Sequence, residues 1–298
     1  FTEVARCGSF TLAAEHLHLT QPAVSKAVRE LENHLEMTLL ERTSRHVSLT
    51  EAGSALFEHA RSIFALEQAA LEDIKARRGL QRGRLVVGAS TTIAAYWLPA
   101  YLTRFLALYP NLELSMVSGN TEKIARDVLD CCVDVALVEG PVDDARLECS
   151  PCHNEPLTLV APMGPPISQG DLGNQCWIVR ESGSGTAQAT EDFLQQQGIH
   201  PQRRVVVGSN TAAVQMALSG AGVCLVPRTM VQSHITRRSL QEVSLPAGPL
   251  TRPLNWVSLR GRPASLARQA FEALLKAGAM KQNISLGDFN KNNVREKS

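Results

Sequence analysis

The sequence predicts a two-part molecule. An N-terminal all-α winged helix-turn-helix on a long linker helix precedes a C-terminal α/β domain of two similar, Rossmann-like lobes. Three observations lead there. Residues 9–50 hold two short helical patterns, each opened by a hydroxyl of the capping kind, and then two β-prone runs. Residues 51–78 continue one helical pattern over many turns. From Leu85 onward short apolar strands alternate with helices, and one part of that pattern returns ninety residues later.

The first helix-turn-helix element is "SFTLAAEHL", with Ser9 as N-cap and with Ala13 and Ala14 small enough for another helix to cross closely. His18-Leu19 makes the turn, and Thr20 caps "QPAVSKAVRELE", where Pro22 falls in the first turn and costs little for its missing N–H. Val24, Val28, Leu31 and Leu35 recur at helical spacing and form the expected buried stripe; Gln21, Pro22, Ser25, Lys26 and Arg29 lie opposite. In "LLERTSRHVSLT" two β-prone runs flank Ser44-Arg45-His46, which reads as a hairpin wing. Thr50 then caps a helix to about Arg78. Leu56, Ala60, Ile63, Ala70 and Ile74 follow an approximate heptad seam, interrupted by Glu67, with Phe57, Phe64, Leu66 and Leu71 beside it. A seam of this length suits a dimer contact better than packing within one domain. Residues 76–84 read as a Gly/Arg hinge.

The α/β part has strands at "RLVVGAST", "LELSMVSGN", "DVALVEGP", "QCWIVRESGSGT" and "RRVVVGSNT", and their pattern predicts parallel pairing. "VSGNTEKIARDVLDCCVDVALV" is echoed by "VVGSNTAAVQMALSGAGVCLV", which aligns Asn120-Thr121 with Asn210-Thr211 and Val133 with Val223. Two such lobes would face one cleft. The expected division is 1–50 for the winged helix-turn-helix and 51–84 for the linker helix and hinge. The two-lobed α/β domain follows over 85–280, with lobe I at about 85–160 and 265–280 and lobe II at about 161–264. A polar tail of unfolded character occupies 281–298.

Composition bounds the function. The 298 residues allow two or three domains and a sizeable core, and 44% hydrophobic with 20% charged residues is the balance of a soluble protein. Net charge is +1, so a nucleic-acid role must rest on a local patch. No apolar run reaches the ~18 residues of a membrane span, and no secretory leader is expected. The chain begins at Phe1 inside a helical pattern, which predicts that further residues precede it. Seven cysteines without disulfide-like spacing suit a reducing cytoplasm. Cys149-Ser-Pro-Cys152-His153 matches a haem-attachment pattern, but that chemistry belongs to exported chains; neither a metal nor a cofactor is expected.

The exposed face of the second short helix has the chemistry of a groove reader. Gln can pair with adenine, Lys or Arg with guanine, Ser with a base or a phosphate, and helix N–H groups with phosphate. The bland alternative is an ordinary solvated face. "GSFTLAAEHLHLTQPAVSKAVRELENHLEMTLLERTSRHVSLTEAG" closely resembles the DNA-binding domain of LysR-type transcriptional regulators. The remainder, to about residue 277, resembles the effector domain of that family, folded like periplasmic solute-binding proteins. The resemblance implies DNA-facing positions at Thr20, Gln21, Pro22, Ser25, Lys26 and Arg29, with Arg42 and Arg45 in the wing. It also implies promoter DNA, RNA polymerase and further copies of the chain, as a dimer or a dimer of dimers, as partners.

In the α/β part, Ser90-Thr91-Thr92, Asn120-Thr121 and Ser182-Gly183-Ser184-Gly185-Thr186 each follow a strand and open a helix. Each alone is explained by capping; three of them facing one cleft suit a small anion. In the family Ser90, Thr92 and the residues around Glu139 and Ser184 match positions that line the effector pocket. "GNTEKIARDVLDCCVDVALVEGPVDD" with "RESGSGT" is most similar to the branch regulating sulfite and cysteine metabolism and carbon fixation, which points to a small oxyanion or phosphorylated metabolite. Rival readings are a transporter's solute-binding protein, opposed by the first 80 residues, and a small-anion enzyme. No G-x-S-x-G elbow, Walker A sequence or acid–base pair supports the enzyme.

Overall fold

Ser9 and Thr20 do cap helices. In the computed structural model, which describes residues 1–42, 47–76, 83–244, 248 and 250–279, they accept hydrogen bonds from the backbone N–H groups of Leu12 and Ala23. They open α2 (Phe10–His16) and α3 (Gln21–Leu35), which follow α1 (Thr2–Cys7). Val4, Ala13, Ala14, Val24, Val28 and Leu40 form one small core. The expected stripe is shorter than its spacing suggested. Leu31 is half-buried and Leu35 exposed, because α3 runs past that core before Glu36 ends it in a left-handed conformation. Ser25, expected on the outer face, is buried: it stands beside Val24 and one turn before Val28, at the edge of the packed side.

The wing pairs β1 (Leu40–Arg42) with β2 (Val47–Leu49) in antiparallel register. A carboxylate oxygen of Glu32 accepts from the N–H groups of Leu39 and Leu40 and ties the wing to α3. The wing tip with Arg45, and the side chain of Arg42, lie outside the described residues. Thr50 Oγ1 accepts from Gly53 N at 2.9 Å and opens α4 (Glu51–Ala76). Gly53 is required: a Cβ there would collide with the carbonyl of Leu39. At 26 residues α4 is about 39 Å long.

The chain divides into two units, 1–71 and 72–298. In the second, β3 (Gly83–Ser90) pairs in parallel with β4 (Leu112–Gly119) and β5 (Val135–Glu139). A π-helical turn (Ile93–Trp97), α5 (Leu98–Leu108) and α6 (Thr121–Leu129) connect these strands. Leu85, Val87 and Ala89 face α5, and Val86 with Ala136 and Val138 faces α6, so the inner strands are apolar on both sides. In the other lobe β7 (Cys176–Arg180) and β8 (Arg203–Val207) are parallel, with α7 (Gly185–Gln196) and α8 (Asn210–Leu218) after them. β9 (Cys224–Pro227), α9 (Arg228–Thr236) and β10 (Leu240–Glu242) complete it.

The five strands expected from the sequence do pair in parallel, and two further strands that the alternating pattern concealed join them. β6 (Leu147–Pro162) and β11 (Leu250–Leu259) are antiparallel partners that run through both lobes. β11 pairs with β5 over Leu254–Val257, and β6 with β9 over Leu157–Val160. The sheet is therefore mixed, and the end of β11, expected in lobe II, lies beside β5 of lobe I. A bulge at Cys152 interrupts the β6–β11 ladder, where Leu254 pairs with His153 and Asn255 with Pro151. α10 (Leu266–Ala279) packs Phe271 edge-on against Phe105 of lobe I.

Candidate nucleic-acid interface and inter-lobe site

On α3, Gln21, Pro22, Lys26 and Arg29 are exposed, and Thr20 is exposed beside them as the cap. Lys26 lies 3.7 Å from Glu30, one turn on, in a solvent-screened pair that leaves the ammonium available. Ser25 does not share that exposure. On α4, Ile63, Phe64, Leu66, Leu71 and Ile74 are largely exposed, as is Ala70, whereas Leu56 and Ala60 are half-buried. Ile63, Ala70 and Ile74 fall within about 40° of one another around the helix.

The first unit also holds a cluster that sequence reasoning did not anticipate: Glu3, Cys7 and His16 each bring one ligand-type atom within 4.8 Å of the others. Arg6 donates to both Glu3 oxygens and lies 3.1 Å from His16 Nδ1, so a cation already occupies its edge. Those bonds hold the Glu3 carboxyl down, at about 2. Cys149 and Cys152 donate to different carbonyls, Val142 and Leu254.

Between the lobes the candidate residues converge on a buried polar network with a different centre from the one expected. Thr92 is helical and makes no capping bond; its Oγ1 accepts from Asn210 Nδ2 at 2.8 Å. The same amide nitrogen donates to Thr186 Oγ1 at 3.0 Å, so Asn210 joins the two hydroxyls. Arg252 Nη1 also reaches Thr186 Oγ1, and its Nε and Nη2 donate to Glu155 Oε2 at 2.9 and 2.6 Å. Arg252 and Glu155 face each other across β11 and β6. Nη2 lies 3.0 Å from Glu139 Oε1, but its hydrogen bond goes to Glu155, so Glu139 has a charge contact without a hydrogen bond. Burial pushes the Glu155 carboxyl up; Arg252 opposes that and the Glu139 charge adds to it.

The remaining candidates have other tasks. Ser184 caps α7 by accepting from Thr186 N. Thr121 Oγ1 donates to the Glu139 carbonyl. Asn120 caps α6 and gives its amide to Glu181 Oε1 and the Ser182 carbonyl. Two hydrogen bonds from Arg180 hold the Glu181 carboxyl below its usual range. Gly183 has φ +79 and accepts from Glu122 N across the lobes, and a Cβ at Gly185 would collide with the Glu139 backbone. Thr91 is half-buried and Ser182 exposed.

Sequence reasoning missed Asn210, Arg252 and Glu155. Asn210 was within reach through the internal echo, but the two helices start one residue apart. Asn120 is the cap of α6, whereas Ser209 caps α8 and frees Asn210 for the cleft. Four buried polar atoms of the region have no hydrogen-bond partner among the described residues: Ser90 Oγ, Glu139 Oε1, Asn210 Oδ1 and Arg180 Nη1. Buried polar atoms without a partner are rare in folded proteins.

A winged helix-turn-helix joined to a two-lobed α/β domain with an incomplete polar network between its lobes defines a DNA-binding protein controlled by a small ligand. The chain belongs to the LysR family of bacterial transcriptional regulators. The family's helix-turn-helix pattern matches residues 1–54, and the pattern described as the LysR substrate binding domain matches residues 78–279. The chain is 29% identical to the HTH-type transcriptional regulator CysL of Bacillus subtilis over 288 residues, 95% of this chain and 96% of that one. It is 31% identical to the RuBisCO operon transcriptional regulator of Allochromatium vinosum over 293 residues, 96% and 97% of the two chains. Among solved structures, a full-length OxyR variant from Pseudomonas aeruginosa has the same fold, with a TM-score of 0.68 at 23% identity over 93% of this chain and 91% of that one. The regulatory domain of Synechocystis CcmR in complex with 2-PG matches with a TM-score of 0.61 at 27% identity, over 66% of this chain and 97% of that one. CysL and the RuBisCO operon regulator carry the names of the branch that the sequence resembled. No helix among the described residues is long and apolar enough to cross a membrane.

Proposed function

We propose that the effector of this regulator is a small oxyanion that keeps a proton, and that it completes the network between the lobes. The orphan atoms carry the reading. Ser90 Oγ and Arg180 Nη1 can donate, but Glu139 Oε1 and Asn210 Oδ1 can only accept. A fully deprotonated dianion offers no donor and would meet the Glu139 carboxylate directly. Hydrogensulfite, hydrogen phosphate or the monoanion of a phosphorylated metabolite offers both. The CcmR complex with 2-PG supports the phosphorylated class. Ser90, Thr92, Glu139, Thr186, Asn210 and Arg252 would surround the ligand, while Asn120 and the Ser182–Gly185 loop join the lobes at its rim.

Binding would fix one lobe arrangement of several and pass it to the DNA-binding units through subunit contacts. Gln21, Pro22, Lys26 and Arg29 would contact promoter DNA, with Arg42 and Arg45 of the wing on phosphates. α4 would pair the subunits through Ile63, Ala70 and Ile74. RNA polymerase would be the downstream partner, the chain would act in the cytoplasm, and no turnover of the ligand is expected.

Calorimetry of the full chain with sulfite, phosphate, 2-PG and sulfate tests the ligand. Sulfite or a phosphate species should bind at least about tenfold more tightly than sulfate. Glu139→Gln replaces an acceptor with an amide that can donate and should erase or reverse that preference, whereas Thr92→Val should weaken binding by about 1–3 kcal/mol. Equal affinity for sulfate and sulfite in the unaltered protein, or an unchanged order in Glu139→Gln, refutes the reading.

A further inference from the structure

We propose that Glu3, Cys7 and His16 form a zinc-type metal site in the first unit, and that the ion braces α1 against α2. Glu3 and Cys7 stand four residues apart on α1 and so share a face, and His16 ends α2. Val4, beside Glu3, packs in one core with Ala13, which lies three residues before His16. The packing that builds this core therefore also sets the distances from which the three side chains start.

Those distances are close to the edges of a coordination sphere. Cys7 Sγ lies 3.5 Å from both Glu3 Oε1 and His16 Nδ1, and the last two atoms are 2.9 Å apart. Bonds of about 2.0–2.3 Å from zinc to sulfur, nitrogen and oxygen, at tetrahedral angles, place neighbouring ligand atoms about 3.4–3.6 Å apart. Two of the three edges already have that length. The third needs to open by about 0.5 Å, which a small rotation of the exposed His16 ring supplies.

The donor set chooses the metal. A thiolate with an imidazole suits zinc, whereas magnesium and calcium take oxygen ligands. Charge balances as well, since the Glu3 carboxylate and a Cys7 thiolate together neutralise a divalent ion. Without metal the same groups are satisfied differently. Arg6 donates to both Glu3 oxygens, and burial followed by the Glu3 charge pushes the Cys7 thiol up, so it keeps its proton. Metal binding displaces that proton and the Arg6 guanidinium, and Arg6 is exposed and can turn to water. Three protein ligands leave a fourth position to water.

An ion here acts on the DNA-binding unit directly. α2 is the first helix of the helix-turn-helix and leads through its turn to α3. Holding α1 to α2 stabilises the folded unit by mass action, so metal supply becomes an input to the first unit, whereas the inter-lobe network belongs to the second.

Cobalt(II) titrated into the reduced, metal-free full chain reads the site, because thiolate ligation gives a near-ultraviolet charge-transfer band and tetrahedral cobalt gives strong visible bands. The signal should saturate at one equivalent, and zinc should remove it while magnesium leaves it intact. Cys7→Ser should abolish the charge-transfer band, and Cys149→Ser, at an exposed thiol of the second unit, should retain it. His16→Gln, at an exposed position, should weaken cobalt binding at least about tenfold. Arg6→Ala removes the competing cation and should tighten it about fivefold, a result that a cluster serving only as a hydrogen-bonded ion pair does not give. The proposal is overturned by absence of the charge-transfer band up to about 1 mM cobalt, by a band that survives Cys7→Ser, by unaltered affinity in His16→Gln, or by weaker binding in Arg6→Ala.

Discussion

Replacing Arg252 with methionine keeps much of the side-chain length and removes the charge. The guanidinium is 2% exposed, bonds Glu155 through two nitrogens, bonds Thr186 through the third and lies 3.0 Å from Glu139. Without it two buried carboxylates face each other. Breaking a buried pair in this way costs about 3–5 kcal/mol when the remaining charge cannot escape. Here Glu155 has an escape, since burial and Glu139 already push its carboxyl up and loss of Arg252 removes the opposing influence. The variant should therefore carry a proton on Glu155 when folded and lose it on unfolding. A carboxyl whose folded pKa is raised makes the folded state bind more protons than the unfolded one, so stability falls as pH rises between the unfolded and folded values. The deficit should approach the full 3–5 kcal/mol at about pH 8 and be smaller by about 1–2 kcal/mol near pH 5.5. Urea unfolding followed by tryptophan emission reports this unit, because Trp97, Trp177 and Trp256 all lie in it. Arg252→Met with Glu155→Leu should recover part of the loss at the higher pH. A deficit of the same size at both pH values, or one below about 1 kcal/mol, refutes the assignment of Arg252 as the charge that holds Glu155 ionised.

Three further outcomes are expected. Lys26→Ala with Arg29→Ala should weaken promoter binding and flatten its salt dependence by roughly one counterion per lost phosphate contact, and an unchanged slope in a salt titration would remove α3 from the interface. Ile63→Glu, at a residue that is 64% exposed in the single chain, should dissociate the proposed α4 pair by placing like charges across a two-fold axis; unaltered sedimentation would exclude that face. Glu3→Gln should cost the first unit about 1 kcal/mol at neutral pH, an amount reduced by partial solvent exposure. The folded Glu3 carboxyl is lowered to about 2 from 4.5, so its contribution is present above the unfolded value and fades as pH falls toward the folded one. Circular dichroism melts of the two proteins should then converge at about pH 2, and a constant difference down to that pH would sever Glu3 from Arg6 and His16.

Local chemistry wrote the first unit almost openly. Ser9, Thr20 and Thr50 cap helices because a short hydroxyl competes for nearby N–H groups wherever it stands, so the signal lies within three residues. The inner strands β3 and β5 were legible as apolar runs because both their faces are covered. The same local reading failed where distant segments decide. Leu35 has the spacing of a core residue, yet the core ends before it, and Ser25 has the chemistry of a contact residue, yet packing takes it in. β6 and β11 do not advertise that they run antiparallel through both lobes, because pairing depends on a partner about a hundred residues away. The site divided in the same manner. Ser90, Thr92, Glu139 and Thr186 were visible because they stand at strand ends or helix starts. Asn210, Glu155 and Arg252 became visible only when a one-residue shift in a cap and the register of two long strands set an amide, a carboxylate and a guanidinium against them. Hydrogen-bond preferences act over a few residues and are carried by the sequence alone; which charges share a low-dielectric space is a property of chain crossings, and the tertiary structure settles it.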